Sequence, residues 1–207
     1  MSLAPGTDPP ISSLTAAAVA ARLDPLPLQA PHCRDGQRAA AVLLALRDGG
    51  LGPELLLVRR AAHLDEHPGQ IALPGGRMDP GDGHPAATAL REAREEVGLE
   101  PEQALLLGAL TPLAVPVSRH LVMPVVAWLA PGSEAGVGSA ETAEAWFTPL
   151  ARLLEAAHPA LLRGRPGWEY RLPGARVWGM TALVLEEFLA RLGLLPAAGS
   201  SQGRAGR

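Results

Sequence analysis

The chain has 207 residues, 47% of them hydrophobic and 19% charged, the balance of a folded domain with a substantial core and not of a disordered polypeptide. A net charge of −3 gives no general surface for nucleic acid, and no apolar run approaches the roughly 20 residues that a membrane span needs. Met1–Ser13 lacks the basic-then-apolar order of a signal peptide, and the single cysteine, Cys33, excludes an internal disulfide, so the expected compartment is the reducing cytoplasm.

In chain order, residues 1–12 are rich in Pro, Gly and Ser and are expected to be a flexible N-terminus, with one domain over 13–194 and a disordered tail over 195–207. Ser13–Leu23 predicts a short helix capped by Ser13 or Thr15 and closed by Pro25. Arg38–Leu46 and Glu54–Arg59 flank the Gly-rich Asp48–Gly52 and predict a hairpin. Ile71–Leu73 predicts a short strand leading into the Pro74-Gly75-Gly76 turn. A helix is expected from Pro85, a residue favoured at the first helical position, to Gly98, a natural left-handed terminator. Ala104–Thr111 and Leu121–Leu129 predict buried strands, Pro131–Gly138 a polar loop, and Pro149–Ala157 and Thr181–Leu192 amphipathic helices, the last with Thr181 as its N-cap and Trp178 in the core.

The helix from Pro85 carries Arg91, Glu92, Glu95 and Glu96 within about two turns, directly after the Gly-rich loop. At 100° per residue the three glutamates share roughly a 100° arc, while Ala86, Leu90, Ala93 and Val97 group on the far side and give it a core to face. Like charges at these spacings destabilise a bare helix by a few tenths of a kcal/mol per pair. A hard divalent cation, Mg²⁺ or Mn²⁺, would neutralise them through the oxygen ligands it prefers. Arg91 lies four residues before Glu95, within ion-pair reach. The six histidines show no metal-ligand spacing.

The segment Gly76–Leu99 closely resembles the Nudix box, whose tail is matched in full by Arg91-Glu92-Ala93-Arg94-Glu95-Glu96-Val97-Gly98-Leu99. The first glutamate of the box is replaced by Asp82, and eight residues rather than seven separate it from Arg91. Both departures resemble the coenzyme A pyrophosphatase branch. So does the upstream stretch Leu56-Leu57-Val58-Arg59-Arg60 followed by Gly69-Gln70-Ile71-Ala72-Leu73-Pro74-Gly75-Gly76, although Ala61 stands where that branch has Ser and Asp65 where it has Arg. Arg176–Ala182 resembles a C-terminal Trp-Gly-x-Thr-Ala element of the same branch.

The resemblance implies an α/β fold, a Nudix-type α/β/α sandwich with a mixed sheet, and metal-dependent cleavage of coenzyme A into 4′-phosphopantetheine and adenosine 3′,5′-bisphosphate. It implies Glu92, Glu96 and Glu95 as metal ligands, Glu95 alternatively as the base orienting the attacking water, and Arg91 as the residue that holds a glutamate in place. Asp82 is a supporting or water-mediated ligand at best, and Glu141 or Glu144 a further one. Arg59, Arg60, Arg77 and Arg119, with Gly75 and Gly76, are the candidate substrate-binding residues. The alternatives are a diphosphatase of ADP-ribose or another nucleoside diphosphate derivative, and a non-catalytic Nudix-fold binding module, which loss of a box glutamate would have signalled. Oligomeric state is not legible.

Overall fold

The axis of the fold is β1 (Arg38–Arg47), seven of whose ten residues are buried. The computed structural model describes residues 10–34, 36–116, 118–162 and 164–195. Along its whole length β1 runs parallel to β7 (His120–Leu129), from Arg38 opposite His120 to Leu46 opposite Trp128. Both strands are continuous apolar runs, as strands covered on both faces must be.

The expected hairpin with β2 (Glu54–Arg60) is present only at its base, where Leu46 faces Leu55 and Arg47 faces Glu54. Beyond that point β2 leaves β1; near its far end Val58 and Arg59 pair with β3 (Ile71–Ala72), and along its whole length it pairs with β8 (Thr142–Pro149). The place it vacates is taken by β4 (Gly75–Arg77), which lies antiparallel on Ala40–Val42. The strand β5 (Ala104–Ala109) and the short β6 (Leu113–Val115) complete the mixed sheet on the far side of β7. Only β1 and β7 are parallel neighbours among these pairs.

Two layers cover the sheet. On one face lies α2 (Pro85–Val97), started by Pro85 with the His84 imidazole accepting from the Ala87 N–H, and ended by Gly98 at a left-handed φ of 71°. Its buried Ala86, Ala89, Ala93 and Val97 meet Ala41, Leu43, Ala45 and Met123, so small side chains on both sides bring helix and sheet close. The other face carries α1 (Ala16–Ala20), capped by Thr15, together with α4 (Gly179–Arg191) and a second sheet. That sheet, β9 (Ala157–Leu162), β10 (Arg165–Leu172) and β11 (Ala175–Val177), follows α3 (Leu150–Glu155). It was not legible in the sequence, and neither was β8. The α/β/α sandwich with a mixed sheet is as expected.

Two expectations about α4 are corrected. Its N-cap is Trp178, whose side chain makes no cap bond, and Thr181 is buried inside the first turn. Trp178 is 46% exposed and not in the core. The flexible ends expected over 1–12 and 195–207 fall outside the described residues for 1–9 and 196–207; Ile11–Ser13 forms a 3-10 turn whose Ile11 packs against the core. Among the described residues no helix is long and apolar enough to cross a membrane.

Candidate active site

The turn Pro74-Gly75-Gly76 brings β4 flush against β1 and beneath α2. Gly75, at φ 155°, has no room for a side chain: a Cβ would meet the Val42 Cα at 2.6 Å. At Gly76 a Cβ would overlap the carboxylate of Glu92. The two glycines therefore let the helix carboxylates reach the strand backbone, and the Gly75 N–H donates to Glu96 Oε2 at 3.2 Å.

Glu92 and Glu96 point inward, Glu95 outward. Glu96 is 8% exposed, and burial pushes its carboxyl up to about 7 against the Gly75 hydrogen bond; the neighbouring Glu92 raises it further and Arg60 opposes. Glu92 is raised as well, chiefly by burial. Glu95 stays largely in solvent, its carboxylate 3.3 Å from Arg91 Nη1.

Arg91 organises the cluster. Its Nε and Nη2 donate to Asp82 at 3.0 and 3.2 Å, its Nη2 also to the Arg77 carbonyl at 3.0 Å, and it pairs with Glu92 at 3.0 Å. The expected i,i+4 contact with Glu95 is thus one arm of a larger fork. Asp82 is committed to that fork: besides Arg91 it accepts from Thr88 Oγ1 and the Asp79 N–H, both at 2.8 Å, and Arg91 holds its carboxyl at about 2. With both oxygens engaged it anchors Arg91.

The substrate-binding candidates do not converge on one surface. Successive residues of a strand face opposite ways. Arg60 lies on the α2 side, 3.7 Å from Glu141 and near Glu96, with its Nε buried and unpaired. Arg59 lies on the other side, donating to Glu144 at 2.9 Å and the Gly174 carbonyl at 3.1 Å, with its guanidinium 5.7 Å from the Trp146 ring. It opens onto a cleft of about 720 Å³ between β8, α3 and the second sheet. Glu141 and Glu144 divide in the same way, and only Glu141 stands near the helix carboxylates. A bulge in the β2–β8 pairing between Arg59 and Arg60 accompanies this divergence. Arg77, opposite Ala40 in register, also projects to the face away from α2, and Arg119 is exposed beside Gly36. The opposite facing of Arg59 and Arg60 follows from strand alternation and was readable; the register of Arg77 was not.

Among the described residues no three His, Cys, Asp or Glu side chains are drawn together as a metal cage. The donor set nonetheless suits a hard cation: two desolvated carboxylates, Glu92 and Glu96, against strand backbone, with Glu141 nearby and only oxygen available. A buried carboxyl whose ionised form is disfavoured is a group that a divalent cation would stabilise.

The NUDIX domain model matches residues 36–164, which contain all of these groups. A relative from Enterobacter sp. (strain 638), named Uncharacterized Nudix hydrolase NudL, is 37% identical over 169 residues, spanning 77% of this chain and 85% of the relative. A relative of the same name from Photorhabdus laumondii is 38% identical over 168 residues, spanning 78% and 89%. Among solved structures, a MutT/nudix family protein from Enterococcus faecalis superposes with a TM-score of 0.52 at 14% identity over 80% of this chain and 65% of that one, a likeness of fold alone. On the domain match and these two relatives together, the chain belongs to the Nudix family.

Proposed function

We propose that this Nudix hydrolase cleaves the pyrophosphate linkage of coenzyme A with the help of Mg²⁺ or Mn²⁺. The observation that carries the chemistry is the buried pair Glu92 and Glu96 against the Gly75–Gly76 strand. These two carboxylates would hold the cation, which when bound polarises phosphoryl oxygens and acidifies a bound water. Arg91 fixes the Glu95 carboxylate at the solvent side of the helix, where it can orient the attacking water and accept its proton at an Oε atom. Water adds to one phosphorus, the bridging P–O bond breaks, and two phosphate monoesters leave. Arg60, on the same side, would neutralise charge on the pyrophosphate.

Coenzyme A is favoured within the nucleoside diphosphate derivatives by the upstream Leu56–Gly76 signature. ADP-ribose is the second reading, because Asp65 stands where that signature has an arginine. The proposed unit is a single catalytic domain over 13–194 acting on a small molecule, and the free Cys33 fits a cytoplasmic setting. The test is product analysis: with Mg²⁺, coenzyme A should yield 4′-phosphopantetheine and adenosine 3′,5′-bisphosphate in equal amounts, and EDTA should abolish both. Intact coenzyme A after prolonged incubation would reject the substrate.

A further inference from the structure

The end of α2 is held from outside the helix. A helix leaves its last carbonyls without donors of its own. Here two of them are taken by the segment between β7 and β8: the Gly136 N–H donates to the Val97 carbonyl at 3.0 Å, and the Gly138 N–H to the Glu96 carbonyl at 2.9 Å. The segment is anchored at its start as well, where Arg47, its guanidinium 3.6 Å over the Phe147 ring, donates to the carbonyl of the buried Ser133 at 3.2 Å. Gly138 fits its contact only as glycine. A Cβ there would meet the Glu95 carbonyl oxygen at 2.8 Å, the Gly98 nitrogen at 3.0 Å and the Glu96 carbonyl carbon at 3.1 Å, all of them helix backbone with no flexible side chain to give way. At Gly136 a Cβ meets nothing within 4 Å. The close approach is thus made at one residue, onto the backbone of the residue that carries the inner carboxylate.

Glu141 follows three residues later. Three residues of chain span at most about 10 Å, so docking Gly138 on Glu96 confines Glu141 to the same end of the helix. The span is tightened into a turn, with the Glu141 N–H donating to Ser139 Oγ and the Thr142 N–H to the Ser139 carbonyl, both at 3.3 Å. The Glu141 carbonyl then accepts from the Ala61 N–H at 2.7 Å, which ties the turn to the end of β2. The Glu141 side chain is 61% exposed and 3.7 Å from Arg60, and its charge helps to raise the Glu96 carboxyl.

We infer that Gly138 is a positioning residue: by docking on the Glu96 backbone it sets the Glu141 carboxylate against the Glu92 and Glu96 pair. This rests on the metal-dependent reading above. Glu92 and Glu96 come from one helix and approach a cation from one side, so an oxygen ligand shell draws on a second element for the other. Glu141 is not gathered with them into a cage. It acts as an outer carboxylate, through its charge and through water kept by the cation, and Gly138 fixes how far away it stands.

The Mn²⁺ affinity of the full chain without substrate, read by isothermal titration calorimetry, tests this. Glu141→Gln should weaken binding about tenfold and Gly138→Ala by a similar factor, while Gly136→Ala, whose methyl enters open space, should bind as the wild type does. Gly138→Ala combined with Glu141→Gln should bind no more weakly than Glu141→Gln alone, because a displaced carboxylate and a missing one are the same loss. Should Gly138→Ala fail to fold, Ser139→Ala takes its place: it removes only the hydroxyl that accepts from the Glu141 N–H, and should weaken binding severalfold in the wild type and not at all beside Glu141→Gln. Wild-type affinity in Glu141→Gln or in folded Gly138→Ala, or losses that multiply in the double variants, overturn the positioning role. Coenzyme A hydrolysis by a protein whose Mn²⁺ binding ignores Glu141 overturns that role and leaves the substrate standing. The expected titrations in a protein that leaves coenzyme A intact keep the role and overturn the substrate.

Discussion

Glu96→Gln should make the metal-free protein more stable at pH 8, although it removes a proposed ligand. The Glu96 carboxyl is 8% exposed and titrates at about 7 in the fold against 4.5 for an ordinary glutamate. A folded-state value above the unfolded one means that folding favours the protonated acid. The penalty is therefore absent below about pH 4.5, grows as pH rises between the two values, and is complete above about pH 7. A gap of about 2.5 at 1.36 kcal/mol per pH unit sets its ceiling at about 3 kcal/mol. Glutamine can keep the Gly75 hydrogen bond through its carbonyl oxygen and cannot ionise. For a domain of this size, the gain at pH 8 corresponds to a Tm roughly 6 to 12 °C higher than that of the wild type. The assay is differential scanning calorimetry in EDTA at pH 5 and pH 8, then in saturating Mg²⁺. The advantage should shrink markedly at pH 5, and Mg²⁺ should raise the wild type while leaving the variant nearly unmoved. A variant less stable than the wild type at pH 8 in EDTA, or one that gains as much from Mg²⁺, would refute the argument that an uncompensated buried carboxylate awaits the cation.

Glu92→Gln and Glu95→Gln should each lower turnover at saturating Mg²⁺ by about a hundredfold or more with unchanged circular dichroism, since each removes a group proposed to act on the transition state. Asp82→Asn should destabilise the protein by about 2 kcal/mol in denaturant titration and reduce activity as well, because it removes the charge that pairs with Arg91 and turns one of the two accepting oxygens into an NH2 donor. Gly76→Ala should weaken Mn²⁺ affinity, read by calorimetric titration, by about tenfold or more, as the methyl displaces the Glu92 carboxylate.

The parts of the fold that local pattern dictates were legible. Pro85 and Gly98 bracket α2, its buried alanines and Val97 recur at helical spacing, and β7 is an apolar run too short for anything but a strand or a core helix. What was not legible depends on partners distant in sequence. The hairpin of β1 and β2 is short because β4 takes the same edge of β1, and no residue in Arg38–Leu46 announces that partner or β7 on the other edge. In β9 and β10, Pro159, Pro166 and Gly167 read as loop punctuation, yet they are tolerated in a small three-stranded sheet. The same holds for the site. The motif fixes Arg91, Glu92, Glu95 and Glu96, whereas Asp82 as the anchor of Arg91 emerges only from packing. Trp178 stands in solvent because α4 buries Leu183, Leu185 and Phe188 instead, leaving the indole at the helix entrance.

The central claim, that the buried carboxylates serve cleavage of coenzyme A, is tested most directly by one panel. Initial rates at subsaturating substrate are measured with Mg²⁺ on coenzyme A, dephospho-coenzyme A, ADP-ribose and NADH, each with wild type and Glu96→Gln. Coenzyme A should give the highest kcat/KM of the four, and every rate should collapse in Glu96→Gln. A clear preference for ADP-ribose would contradict the substrate, and a Glu96→Gln enzyme turning over at the wild-type rate would contradict the site.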